Sequence, residues 1–171
     1  MTNKQLITTI FALILLIGFS GIAGAGDWKT ADTDGFHLEW MVDGENLNVK
    51  VSTETEGWVA VGFNPSKKMK DANIIIGFVE NGTVTIEDHF GNGQISHRSD
   101  TSLGGTDDVT NKAGAEVNGV TALSFTIPMD SGEQDDRALM EGETYKVIFA
   151  SNRKDKITAK HNRRSSTMIT L

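Results

Sequence analysis

The chain has 171 residues, of which 38% are hydrophobic and 23% are charged, a composition typical of one globular domain. Its net charge of −7 at pH 7 argues against nucleic acid as a partner, because proteins bind phosphate backbones through many lysines and arginines. The absence of cysteine excludes disulfides, thiolate zinc sites, iron–sulfur clusters and haem attached through thioether bonds.

The first 25 residues have the pattern of a secretory signal peptide. Lys4 gives a positive start, an apolar run extends over residues 6–19, and Ala23-Gly-Ala25 supplies the small residues that signal peptidase accepts. The run is short for a membrane span, which needs about 20 apolar residues. We therefore predict a secreted or periplasmic domain over residues 26–171, with no membrane span after signal cleavage. An uncleaved N-terminal anchor is the alternative interpretation.

The rest of the chain is dominated by short segments with the apolar content or alternation of β-strands. Eight such segments occur, at 36–42, 47–51, 58–63, 74–79, 83–89, 121–127, 144–150 and 167–171. The tight-turn dipeptides Asp43-Gly44 and Asn81-Gly82 join neighbouring segments as hairpins. No stretch of ten or more residues after the signal shows a helical period. The pattern predicts a single all-β domain, an antiparallel sandwich or barrel.

Residues 91–118 differ from the rest, since they are rich in Gly, Asp, Asn, Ser and Thr and poor in large apolar residues. We expect a long loop there, either functional or mobile. His89 and His97 flank Gly91-Asn-Gly93 and are a candidate pair for a small metal site, with exposed histidines as the alternative. Asp107-Asp108 and Asp135-Asp136 are interpreted as solvated turns. No Gly-x-Ser-x-Gly elbow is present, and we assign no catalytic residue.

Met69 and His161 are the strongest candidates for a site. Met69 lies in a polar connection between two strands, where a methionine either packs as an apolar plug or offers its sulfur to a ligand. His161 lies within the strongly basic segment 153–164. A thioether and an imidazole are the axial pair of a low-spin haem iron, and Arg163 or Arg164 would suit the propionates. Loops from distant strands can meet at one end of a sandwich.

Two motifs carry a family resemblance. Gly57-Trp-Val-Ala-Val-Gly-Phe-Asn64, Met69 and Asp71-Ala-Asn-Ile-Ile-Ile-Gly77 resemble the central motif of the DOMON family, a β-sandwich found in the cytochrome domain of cellobiose dehydrogenase and in secreted b-type cytochromes. Downstream, Ser124-Phe-Thr-Ile-Pro-Met129 followed by Gly132-Glu-Gln-Asp-Asp136 resembles a strand and acidic turn of the family, and Tyr145-Lys-Val-Ile-Phe-Ala150 resembles the strand before its ligand loop. His161 then stands where the family's haem histidine stands. The resemblance covers most of residues 28–171.

The resemblance implies an antiparallel, immunoglobulin-like β-sandwich that holds haem b non-covalently between Met69 and His161. The expected function is one-electron transfer with a redox partner protein, and Trp58 and Phe63 are expected to pack around the ring. Two strong axial ligands leave no open iron position for O₂ or substrate. An electron carrier, or a haem subunit of a larger oxidoreductase, is therefore expected rather than a stand-alone enzyme.

Two alternatives accompany this interpretation. Some relatives bind haem with Met and Lys, so Lys160 or Lys156 can replace His161 as the second ligand. The other alternative is a haem-free module that binds a carbohydrate or another small polar ligand. One tyrosine and three tryptophans offer few stacking platforms for a sugar. The sequence also departs from the family at Ile127-Pro128, where an arginine often precedes the proline.

Overall fold

A computed structural model describes residues 26–134 and 136–171, so the predicted signal peptide lies outside the described residues. The described chain forms eleven strands and one short helix. Their bounds are β1 Lys29–Thr33, β2 Phe36–Asp43, β3 Asn46–Glu54, β4 Val59–Phe63, β5 Asn73–Glu80, β6 Thr83–Gly93, β7 Ser96–Ser99, α1 Asp100–Leu103, β8 Thr110–Val117, β9 Val120–Pro128, β10 Thr144–Ser151 and β11 Arg163–Thr170. None of the helices in these ranges is long and apolar enough to cross a membrane.

The strands form two antiparallel sheets. The first has the order β1-β2-β3-β9-β8, and the second has the order β11-β10-β4-β5-β6-β7. Alternate residues of both sheets, such as Val49 and Phe125 from the first and Val61 and Phe149 from the second, form one buried cluster between them. Burial of each large apolar side chain contributes about 1.5–3 kcal/mol. The predicted all-β fold is confirmed as a sandwich.

All eight predicted strands are present, and both predicted turn dipeptides join hairpins. Asn81 and Gly82 have φ values of +51° and +79°, the left-handed geometry that a tight hairpin turn requires. The last strand begins at Arg163, four residues earlier than predicted, so part of the basic segment is β-structure. The prediction of a long loop over 91–118 is wrong, because β7, α1 and β8 all lie within it.

The six-stranded sheet has a second apolar face, directed away from the first sheet. Trp58, Ala60, Ala72, Ile74 and Ile76 form a buried cluster on this outer face. Five partly buried side chains pack against it: Met69, Phe78, Ile148, Ala150 and Ile157. The connections 64–72 and 152–162 contribute Met69 and Ile157, so both fold over the sheet and cover this face.

Candidate functional site

Successive side chains of strand β4 point alternately into the core between the sheets and onto the outer face, where the candidate site lies. Val61 and Phe63 point into the cluster between the sheets, where Phe63 is 1% exposed. Trp58, just before the strand, is buried in the outer cluster with Met69. Successive side chains on a strand point to opposite faces, so Phe63 cannot share the outer face with Ala60. The expectation that Phe63 packs around a bound ring is therefore corrected, whereas Trp58 lies beside Met69.

The loop that carries Met69 is tightly folded against strand β6. The amide of Ala72 donates to the carbonyl of Met69 (3.1 Å), and the amide of Lys70 donates to that of Lys67 (3.0 Å). Lys68 and Asp71 take left-handed φ values of +57° and +63°, which allow the chain to turn within a few residues. A Cβ added at Gly91 would overlap the Met69 carbonyl oxygen. Gly91 therefore permits the close approach that holds Met69 over the sheet.

The loop that leads to His161 is held in a similar way at the start of β4. The amide of Asn152 donates to the Trp58 carbonyl (3.0 Å), and the Trp58 amide donates to the Lys154 carbonyl (3.3 Å). A Cβ added at Gly57 would meet the backbone of Asn152 and Lys154. The Asn152 side chain donates to the carbonyl of Lys160 (2.6 Å), which closes the loop next to His161.

These two loops leave opposite ends of the sheet. Strand β10 runs antiparallel to β4, with Ser151 opposite Val59 and Val147 opposite Phe63. The Met69 loop follows Phe63, whereas the His161 loop follows Ser151. The expectation that the two loops meet at one end of the sandwich is wrong. They converge over the outer face of the six-stranded sheet, where Met69 and Ile157 pack in the same cluster.

The His161 side chain is partly buried at the end of its loop. Burial lowers its pKa below the ordinary value of 6.5, and the positive charges of Arg164 and Lys160 lower it further. The imidazole is therefore neutral at pH 7. A neutral imidazole is the form that binds metal ions.

The two candidate arginines lie on opposite sides of β11. Arg163 donates to the Thr53 hydroxyl (3.3 Å) and lies 5.9 Å from the centre of the Phe36 ring, so it is engaged with the first sheet. Its predicted role beside a propionate is corrected on this ground. Arg164 is paired in register with Ala150, a residue of the outer cluster. Paired residues share a face, so the exposed Arg164 remains available to the site.

His89 and His97 do come together, with 2.9 Å between their Nδ1 atoms. His89 is paired with Ile74 and therefore lies on the outer face, next to the covering loops. In residues 26–134 and 136–171 this pair does not belong to any group of three potential metal ligands. The geometry describes a hydrogen-bonded pair, with the Glu87 carboxylate 3.0 Å from the other nitrogen of His89.

Comparison with known proteins decides the family. The DOMON domain model matches residues 32–152, which is most of the chain. This chain belongs to the DOMON family.

The curated relatives of this DOMON protein are much longer. It is 26% identical over 151 residues to DBH-like monooxygenase protein 1 of Homo sapiens, an alignment that covers 84% of this chain and 24% of that protein. The Mus musculus protein of the same name is 27% identical over 120 residues, covering 70% of this chain and 19% of that protein. The DOMON chain thus spans about a quarter or less of the length of these relatives.

Two solved structures share its fold. The cytochrome domain of Myriococcum thermophilum cellobiose dehydrogenase superposes with a TM-score of 0.62 at 12% identity, covering 85% of this chain and 82% of that one. The cytochrome b domain of pyranose dehydrogenase from Coprinopsis cinerea gives 0.57 at 10% identity, covering 88% and 83%. At these identities the comparison shows the fold alone.

Met69 on the outer face and His161 at the end of the loop that covers this face fit the haem that the family resemblance implies. Met69 offers a soft thioether within an apolar cluster, and His161 offers a neutral imidazole, a donor pair suited to haem iron. The buried Nε1 of Trp58 has no hydrogen-bond partner among the described residues, although an indole N–H normally finds one. A polar donor left over beside Met69 is consistent with a further group on this face.

Proposed function

We propose that this DOMON domain binds haem b non-covalently on the outer face of the six-stranded sheet and transfers single electrons outside the cytoplasm. One observation carries the proposal. Two loops, each laid against the sheet at a glycine, bring a thioether and the segment with a neutral imidazole over one apolar face. Residues 1–25 would serve as the export signal, and a redox partner protein would accept or supply the electron.

The chain's own residues have distinct roles in this proposal. Met69 and His161 would hold the iron, and the cluster around Trp58 and Ile74 would exclude water from the ring. When bound, haem would supply a reversible one-electron couple. A neutral sulfur ligand in an apolar setting favours the reduced state and so raises the reduction potential. Arg164, at the exposed edge of the face, would pair with a propionate.

Haemin titration of the purified domain tests the proposal directly. We expect one haem per chain and, after dithionite, the sharp α and β bands of a six-coordinate b-type cytochrome. Met69→Leu keeps the volume and removes the sulfur, so it should abolish the low-spin spectrum and lower the potential. Met140→Leu is the matched control, because Met140 is 61% exposed and does not belong to the outer cluster.

The second ligand is tested by substitution in the other loop. His161→Ala should weaken haemin binding by at least about tenfold, or roughly 1.4 kcal/mol. Lys160→Ala and Lys156→Ala serve as controls and also test the two alternative ligands. A His161→Ala variant with full occupancy and unchanged spectra would remove His161 from the site. Failure of the unmodified domain to take up stoichiometric haem would leave a haem-free binding module.

A further inference from the structure

Asp88 occupies a position where the fold calls for an apolar side chain. It is paired with Ile75 and follows Ile86 by two residues, so it shares the inner face of β6 with residues of the inter-sheet core. Only 3% of Asp88 is exposed. Burial of an ionised carboxylate is costly unless a compensating charge or hydrogen bonds accompany it.

Two more carboxylates converge on Asp88. Asp100, at the start of α1, is 0% exposed, and Asp136 comes from the segment between β9 and β10. Each of the three side chains offers an oxygen, and these oxygens all lie within 4.8 Å of one another. The fold therefore assembles the group from three segments of the chain: β6, the start of α1 and the connection between β9 and β10.

A second, independent observation concerns the hydrogen bonds of Asp88. Its Oδ2 accepts one hydrogen bond, from the amide of Asp108 (3.2 Å). Its Oδ1 is buried and accepts none from the described residues. A carboxylate oxygen has two lone pairs and is normally satisfied when buried. Asp88 is therefore almost fully buried within an acidic group, and its Oδ1 accepts no hydrogen bond from the described residues although its Oδ2 accepts one.

The backbone around the three carboxylates is held in place by its own contacts. The amide of Gly105 donates to the carbonyl of Asp100 (2.9 Å). Thr106 donates from its amide and its hydroxyl to the Glu133 carboxylate, at 3.0 and 2.6 Å. These bonds tie the segment after α1 to the segment that carries Asp136. Part of region 91–118 thus folds over Asp88 rather than extending into solvent.

We propose that Asp88, Asp100 and Asp136 form a binding site for a calcium ion, separate from the haem site. Hard divalent cations prefer carboxylate oxygens, which excludes soft metals as the favoured occupant. Calcium binds its ligands at about 2.4 Å, so two oxygens on one ion can lie up to about 4.8 Å apart, and all three oxygens fall within that limit. Magnesium needs shorter contacts of about 2.1 Å in strict octahedral geometry and is usually bound by one or two carboxylates together with water. Three carboxylates from separate segments therefore favour calcium over magnesium.

The position of the site indicates its role. Asp88 and His89 are adjacent residues on opposite faces of β6, so calcium would bind on the core side and haem on the outer side. The three ligands come from the six-stranded sheet, from the segment before β8 and from the segment after β9. A bound ion would therefore tie elements of both sheets together. We expect a structural ion that does not take part in electron transfer.

Calcium titration of the chelator-treated domain tests the proposal without haem. Isothermal calorimetry with CaCl₂ should show one ion per chain, and thermal unfolding should shift upward by several degrees in saturating calcium. Asp88→Asn keeps the shape of the side chain and should weaken calcium binding by at least about tenfold. Asp43→Asn is the control, since it removes the same charge from an exposed position at the end of β2.

Further measurements keep the result interpretable. Circular dichroism in EDTA establishes that Asp88→Asn is folded, and Asp100→Asn gives a second, independent variant of the site. Stoichiometric binding that is lost in both variants and retained in Asp43→Asn would support the site. No calcium binding at millimolar concentration, equal binding by Asp88→Asn, or tighter binding of MgCl₂ than of CaCl₂ would overturn the proposal.

Discussion

Arg163 and Arg164 are chemically identical neighbours, and strand geometry gives them different surroundings. Arg163 contacts Thr53 and the Phe36 ring of the first sheet, whereas Arg164 lies on the face that bears the outer cluster. The sequence identifies both arginines as candidates for binding an anionic group. It does not show which residues of this polar strand point to which face of the sheet. Only the register with Ala150 shows which arginine reaches the site.

Alanine substitution should separate the two arginines. Arg164→Ala should weaken haemin binding several-fold and leave the unfolding free energy of the haem-free protein unchanged, because its side chain is exposed. Arg163→Ala should lower that free energy by about 1 kcal/mol, through loss of a hydrogen bond, and leave haemin affinity unchanged. Urea denaturation and haemin titration measure the two effects. The reverse assignment of effects would show that the register has been misinterpreted.

The buried position of Asp88 could be predicted in part from the sequence. Ile86, Asp88 and Phe90 have the same parity in β6, so the alternation alone places an acidic residue on the apolar face. That signal was available, but the neighbouring Glu87 and His89 give the segment a polar character. Asp136 is less predictable, since its connection contains few apolar residues and no period. Its interpretation as part of a solvated turn is corrected, because it is partly buried and adjoins Asp88.

At the scale of secondary structure, the site depends on loops that lie flat on a sheet. Gly91 interrupts the side-chain surface of β6 at the point where the backbone of Met69 passes over it. A similar arrangement at Gly57 accommodates the backbone of 152–154. The family motif therefore contains both Met69 and Gly57, the glycine beneath the other covering loop, while Gly91 lies downstream of that motif in β6.

Gly91→Ala should displace the Met69 loop, because the new methyl group would overlap the Met69 carbonyl oxygen, which accepts a hydrogen bond from the Ala72 amide. We expect a loss of about 1–3 kcal/mol in unfolding free energy and weaker haemin binding. Gly93→Ala, two residues further along β6, is the control, because its methyl group would meet only the movable hydroxyl of Ser96. Denaturation and haemin titration of both variants check this. Equal effects of the two substitutions would argue against a specific role for Gly91.

The elements themselves were predictable to different degrees. Strand β2 buries mainly one face, and strand β9 is buried almost throughout but has alternating large apolar residues, so both were predictable. Strands β7 and β8 lie at the edges of their sheets and expose much of their surface, so their sequences are polar and carry no period. The direction in which each candidate-site loop leaves the sheet could not be predicted from the sequence either. It depends on β10 lying beside β4, a contact between strands about 85 residues apart that no local pattern reveals.

At the scale of the whole molecule, two buried groups with opposite pKa shifts contribute to the dependence of stability on pH. Burial, followed by repulsion from Asp100 and Asp136, raises the pKa of Asp88 from 3.8 to about 8. Burial, followed by the proximity of His89, lowers the pKa of His97 from 6.5 to about 4. Asp88 thus destabilises the ion-free fold increasingly as pH rises from 3.8 to 8. His97 destabilises it increasingly as pH falls from 6.5 to 4.

Between about pH 4 and 6.5, the changes in unfolding free energy with pH that arise from Asp88 and His97 nearly cancel. Between pH 6.5 and 8 only the contribution of Asp88 remains. We therefore expect their joint effect to lower the unfolding free energy of the ion-free protein by about 2 kcal/mol from pH 6.5 to 8. Urea denaturation in EDTA across this range measures it. Asp88→Asn should remove most of the decline, and a decline of the same size in that variant would assign it to other groups.

The division of β4 between two faces has a consequence for laboratory evolution. Val59, Val61 and Phe63 hold the sheets together, while Trp58 and Ala60 face the covering loops. Effects at sites without shared partners are usually additive. A combinatorial library restricted to outer-face positions would therefore sample new pockets on an unaltered core. Selection from such a library could give this sandwich a different chromophore or small molecule without first having to rebuild the protein that carries it.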